Sequence, residues 1–167
     1  FFPYVGANPG RTGTGQATTT QFVIPDSAVE YWVERLDEAG VAVQEPVERF
    51  GERVLAFEDP DGLQLELVGV EDAPAGNPPE GPVPTEHAIR GFNGITLTLA
   101  DDAGTTRLLE TMGFEETGSD GDRTRFESHG ELGYVVDIVV DSDADRGLPG
   151  AGIVHHVAFQ VTSEEQA

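Results

Sequence analysis

Residues 53–68 read Arg-Val-Leu-Ala-Phe-Glu-Asp-Pro-Asp-Gly-Leu-Gln-Leu-Glu-Leu-Val. Two apolar-patterned runs, Arg53 to Glu58 and Leu63 to Val68, flank Asp59-Pro60-Asp61-Gly62. Those four residues make a turn by type: proline presets φ, aspartate can bond nearby backbone N–H groups, and glycine accepts positive φ. The stretch predicts a pair of adjoining strands. Upstream, a strand is expected over about Ala42 to Val47. Before it, Val29, Trp32, Val33 and Leu36 fall at helical spacing and predict an amphipathic helix from about Ser27 to Ala39, stopped by Gly40. A first strand runs over Thr18 to Ile24, which completes a βαβββ unit.

The pattern recurs about 75 residues later. The expected elements are a strand at Ile95 to Leu99, a helix at Asp102 to Met112 stopped by Gly113, and strands near Phe114 to Glu116, Arg123 to Ser128 and Tyr134 to Val140. Third-copy spacing begins at Val154 with a strand and goes no further. One such unit cannot cover both faces of its sheet, so copies should pair. The predicted class is therefore α+β, with paired βαβββ modules forming a cupped, mixed or antiparallel β-barrel. Residues 1–16 end a preceding module and connect it, 17–70 form one module, 71–86 a Pro/Gly/Glu-rich linker, 87–141 a second module, and 142–167 a loop and the start of another.

Thirty-one acidic residues face nine basic ones, and all nine are arginine, giving a net charge of -22. A phosphate backbone or an anionic leaflet would be repelled, so neither nucleic acid nor membrane is an expected partner. Self-repulsion of this size is tolerable where salt screens it, and the lysine-free, acid-rich composition is similar to that of salt-in halophiles. Without cysteine there is no disulfide, thiolate metal site or cysteine nucleophile. No apolar run approaches the roughly 18 residues of a membrane span and no secretion signal opens the chain, so a cytoplasmic location is expected. Phe1-Phe2-Pro3-Tyr4-Val5 predicts a strand with nothing before it, and Thr162 to Gln166 resembles a helix start with nothing after it. Both point to an internal piece of a longer protein.

His155 and His156 lie in the third copy's opening strand. Superposing the three first strands sets Thr18-Thr19 and Asn93-Gly94 beside the histidine pair. Phe22, Leu97 and Phe159 then align, as do Ile24, Leu99 and Val161, on the face expected under a helix. His155 shares that parity and is expected to be structural. His156 shares the other, with Gln21, Thr96 and Thr98, on the more polar face that would line a ligand-holding cup.

The βαβββ repeat, Phe57 to Leu67, and Val154-His155-His156-Val157-Ala158-Phe159 together resemble the vicinal oxygen chelate superfamily of glyoxalase I, bleomycin-resistance proteins and extradiol dioxygenases. Phe1 to Tyr4 with Pro9 to Gln16, Glu86 to Phe92 and Gly152 to His156 are similar, more narrowly, to its four-module ring-cleaving branch, which includes hydroquinone dioxygenases. The resemblance implies Fe(II) or Mn(II) held by two histidines and a glutamate, of which this chain carries one, His156. It implies a small aromatic substrate of hydroquinone or catechol type, together with O2. Such a set leaves adjacent open positions on the metal. The chain alone, short of two ligands, is expected to be inactive. The alternatives are a glyoxalase-like isomerase or lyase and a non-enzymatic binding protein, and a homo-oligomer is possible.

Glu66 falls where the superfamily places a carboxylate ligand. The first-strand positions that would complete its site are Thr19 and Gly94, which cannot replace imidazole, so a metal-free barrel is expected there. Gly10-Arg11-Thr12-Gly13-Thr14-Gly15 resembles a phosphate loop, but it leads into a strand and lacks lysine, and it reads as a connection. His87 is expected to dock the linker and His129 to be solvated. Asp141 to Asp145 reads as a solvated acidic run.

Overall fold

The computed structural model describes residues 6–78, 80–130 and 132–159. Strand β1 (Gln16–Pro25) leads through a short 3-10 turn into helix α1 (Val29–Glu38), followed by β2 (Val47–Arg49), β3 (Glu52–Glu58) and β4 (Gln64–Val70). The order repeats as β5 (Gly91–Leu99), α2 (Ala103–Thr111), β6 (Glu115–Asp120), β7 (Arg123–Glu127) and β8 (Val135–Val140). All eight strands form one mixed sheet in the order β2-β3-β4-β1-β5-β8-β7-β6. Each first strand pairs parallel with the last strand of its own unit, and the units join where β1 meets β5 antiparallel. Register shifts at Ala17/Thr19 and Gln21/Phe22 interrupt this central pair, and such irregularities bend a sheet.

The helices cover one face. Ile24, Val29, Leu36, Leu55 and Leu67 are buried together, with Phe22, Trp32 and Val33 packed against them. Leu109, Phe114, Phe126, Val136 and Ile138 form the second cluster, joined by Leu97, Leu99 and Phe159. Each fully buried aliphatic or aromatic side chain contributes about 1.5–3 kcal/mol, so these clusters attach the helices. The face expected for Phe22, Ile24, Leu97 and Leu99 is the face they occupy; Val161 lies outside the described residues, as does the opening Phe1 to Val5.

Both helices end alike. Val41 N donates to Leu36 O at 2.9 Å and Gly40 N to Asp37 O at 2.9 Å, while Phe114 N donates to Leu109 O at 2.9 Å and Gly113 N to Glu110 O at 3.0 Å. Gly40 and Gly113 have φ of +73° and +88°. That is the glycine-terminated motif in which a left-handed residue lets the chain recover the last carbonyls. The Asp59 to Gly62 turn forms as read: Asp59 Oδ1 accepts from Asp61 N at 2.9 Å and Leu63 N at 2.8 Å, and Gly62 has φ +86°.

Two strand expectations require correction. From Ala42 to Pro46 only Val43 bridges, to Phe57, and the paired strand is Val47–Arg49. Pro46 has no N–H to give a ladder, so pairing resumes after it. Residues 154–159 adopt no strand, so strand alternation does not set the directions of His155 and His156 here. An extended segment gains its hydrogen bonds only from a neighbour, and none of the eight strands runs beside this one.

The stretch that follows the linker lies against α1 and β1. The Trp32 indole N–H donates to His87 O at 2.8 Å, the His87 ring stacks on Tyr31 with centroids 4.3 Å apart, and Arg90 N donates to Val23 O at 2.8 Å. Among the described residues no helix is long and apolar enough to cross a membrane.

Candidate functional site

The face opposite the helices collects charge. In β1 and β4, Gln21 pairs in register with Glu66; at the equivalent places in β5 and β8, Thr96 pairs with Asp137. Gln21 Nε2 sits at the centre, donating to Glu66 Oε2 at 3.2 Å and Asp137 Oδ2 at 3.1 Å, and its Oε1 accepts from Asn93 Nδ2 at 3.2 Å. One amide thus joins the two units' last-strand carboxylates.

Three arginines complete the cluster. Arg49 on β2 donates from one nitrogen to both oxygens of Glu66 at 3.0 Å. Arg125 on β7 grips Asp137 through Nε at 2.9 Å and through a terminal nitrogen at 3.2 Å, while its other terminal nitrogen reaches Glu52 on β3 at 2.7 Å. Arg123 donates to Thr96 Oγ1 at 2.9 Å and Asp137 Oδ2 at 3.1 Å. Strands β3 and β7 are each one strand in from opposite edges of the sheet, so the Arg125–Glu52 contact means that the sheet curls into a cup around this cluster. Phe50 seals the seam: its ring lies 4.3 Å from the Arg125 guanidinium carbon. It occupies the Phe50-Gly51 turn between β2 and β3, both residues at positive φ, +52° and +79°.

The electrostatics balance internally. Arg49, Arg123 and Arg125 offset Glu52, Glu66 and Asp137, three charges against three. Burial alone would raise the Asp137 carboxyl, but hydrogen bonds from Arg125 and Gln21 and the nearby Arg125 and Arg123 charges outweigh it and hold the group below the usual carboxylate range. Arg123 is lowered, first by desolvation and then by the facing Arg49 charge. Glu66 and Asp137 therefore already have cationic partners, and the arginines occupy the space a metal would need. The cup does not fit a metal ion. Among the described residues no group of three or more histidine, cysteine or acidic side chains is arranged to hold one.

His155 and His156 stand elsewhere. Both are exposed, with their Nδ1 atoms 3.0 Å apart and rings nearly perpendicular. They border a cleft of about 1110 Å³ between residues 146–157, the start of β1, Leu97, Leu99 and the Asp59 to Leu63 turn. His156 offers one imidazole donor, which fits a coordination set only if other ligands come from beyond the described residues. His129 is exposed in a turn, and Asp141 Oδ1 is engaged by the N–H groups of Asp143 and Ala144.

The arginine cluster escaped sequence reading, although a signal existed. Arg123 and Arg125 share one parity on β7 while Phe126 takes the other, and Asp137 is a lone acid inside Val135 to Val140. Charges that alternate with core residues inside two adjoining strands mark a buried ionic face.

Fold and sequence show likeness to the same group of proteins. A model of the Glyoxalase/Bleomycin resistance protein/Dioxygenase superfamily matches residues 1–67. A crystal structure described as a dioxygenase from Bacillus subtilis strain 168 superposes with a TM-score of 0.88 at 39% identity, over 99% of this chain and 53% of that one. The chain is similar to that superfamily in sequence over residues 1–67 and in fold over nearly its whole length. Among curated relatives, MhqO of Bacillus subtilis strain 168, named as a ring-cleaving dioxygenase, is 40% identical over 99% of this chain and 53% of its own length. The chlorohydroquinone/hydroquinone 1,2-dioxygenase of Sphingobium indicum is 33% identical over 91% of this chain and 49% of its own length. Glyoxalase I from Zea mays shares the fold, with a TM-score of 0.57 at 17% identity over 85% of this chain and 49% of its own. The chain spans about half the length of the curated relatives it matches.

Proposed function

We propose that this chain is part of a metal-dependent, ring-cleaving dioxygenase acting on hydroquinone- or catechol-like aromatics, and that His156 supplies one of its metal ligands. The carrying observation is the likeness to named ring-cleaving dioxygenases over nearly the whole chain, well above the likeness to glyoxalase I. The second support is placement: His156 is exposed at the border of a cleft, whereas the cup's own carboxylates are neutralised by arginine. In this reading the cup is a rigid scaffold, and the reacting centre forms where His156 meets residues outside the chain. A bound Fe(II) or Mn(II) would supply the redox chemistry with O2, while the protein orients it and the substrate.

The test is oxygen uptake by the full-length protein with hydroquinone, alongside metal content. Stoichiometric iron or manganese with O2 consumption is expected, and His156→Ala should weaken metal binding by more than the about 10–100-fold typical of outer-shell partners. Zinc or nickel with no oxygen uptake would replace the reading with an isomerase, and unchanged metal binding in His156→Ala would remove that residue from the site.

A further inference from the structure

None of the eight strands pairs with residues 154–159, yet the segment carrying His156 is tied at both ends. Upstream, residues 8–14 and 145–151, the stretches that enter β1 and leave β8, are strapped together. Gly10 N donates to Ala151 O and Ala151 N to Asn8 O, both at 2.9 Å; Arg11 N and Leu148 O bond at 2.9 Å and Leu148 N and Arg11 O at 2.8 Å; Thr14 N reaches Asp145 O and Gly147 N reaches Thr14 O, both at 3.0 Å. Downstream, Phe159 packs edge-on against Phe114 with centroids 5.3 Å apart, on the α2 core cluster.

Glycine permits the upstream tie. A Cβ on Gly150 would lie 2.5 Å from Gly10 N and 2.6 Å from Asn8 O; one on Gly13 would lie 2.3 Å from Asp145 O and 2.7 Å from Gly147 N. Those neighbours are backbone, so a side chain can be admitted only by opening the strap. At Gly10 the Cβ would meet Ile153 Cγ1 at 2.2 Å, and at Gly147 it would meet the Gln16 side chain at 2.2 Å. Gln16 is itself part of the tie, since its Oε1 accepts from Gly13 N at 3.2 Å. From Ala151 the chain turns through Gly152, at φ +80°, and reaches His156 within five residues.

We infer that the glycine strap between residues 8–14 and 145–151 is a positioning device: Gly13 and Gly150, with Gln16, set where the His155–His156 segment stands relative to the cup. The inference rests on the proposed role of His156 for its functional meaning, but its geometry is testable separately. The experiment places spin labels at Glu34→Cys and Ala158→Cys, both exposed, in the full-length protein, with any cysteine outside this chain first changed to serine. Iron or manganese affinity is measured on the unlabelled counterparts.

The parent should show one narrow distance population. Gly150→Ala should broaden it at least about two-fold and weaken metal binding about ten-fold, in line with losses from misplaced ligand supports. Gln16→Ala, which adds no atom and removes the bond to Gly13, should do the same to a smaller extent and covers the case in which Gly150→Ala does not fold. Gly81→Ala, where an added Cβ meets nothing within 4 Å, should change neither readout. A distance population that stays narrow in every folded strap variant overturns the inference. So does a broadened one with unchanged metal affinity, provided His156→Ala abolishes that affinity. If His156→Ala leaves metal binding intact, the ligand reading fails instead, and the distance measurement alone decides the strap.

Discussion

Asp137 shows how one buried acid is held. It is 0% exposed, with Arg125, Arg123 and Gln21 all donating to it. Removing one partner of a buried ion pair leaves an uncompensated charge, whereas replacing both with apolar groups of similar size is often tolerated. Arg125→Met should therefore destabilise the protein by about 3–5 kcal/mol, and Arg125→Met with Asp137→Leu should recover much of that loss. Urea unfolding of both variants measures the difference. A double variant no more stable than the single would mean that Arg125 acts through Glu52 and Phe50 rather than through Asp137. Periodicity counts apolar spacing, so it located the core residues on these strands and passed over the arginines that alternate with them.

At the scale of elements, the two units were legible because their punctuation is chemical. Gly40 and Gly113 end the helices through the same pair of hydrogen bonds, and Leu36 with Val41 and Leu109 with Phe114 place apolar side chains on either side of each stop. The left-handed backbone there costs a residue with a Cβ roughly 1–2 kcal/mol. Gly113→Ala should lower the melting temperature by about 2–4 °C for each kcal/mol in a chain of this size, as scanning calorimetry or circular dichroism would show. No loss of stability would mean that α2 ends equally well without the motif. Strand β2 was misplaced for the converse reason: Pro46 interrupts the ladder, and a three-residue strand at the sheet edge carries too few side chains to announce itself.

At the scale of the molecule, 31 acids against nine arginines leave strong self-repulsion on the surface, while the cup's interior is neutral. Salt shortens the Debye length from about 10 Å at 0.1 M to about 3 Å at 1 M and screens exposed charges far more than buried ones. Stability should therefore rise between 0.1 M and molar KCl, measured by urea midpoint at each concentration. A flat or falling midpoint would end the halophile reading. Such a rise should persist in the Arg125→Met/Asp137→Leu variant, because the screened charges lie outside the cup.

By itself the sequence determined the repeat, the helices and their stops, the Asp59 to Gly62 turn and the apolar faces of β1 and β5. These follow from local spacing and from residues whose backbone preferences are intrinsic. Only the tertiary structure decided that the sheet curls until Arg125 meets Glu52, that Glu66 and Asp137 are taken by guanidinium groups, and that two glycine-rich connections clasp each other beside His156. Those contacts join residues up to about 140 positions apart, and neither charge parity nor glycine content says which distant backbone will close around them.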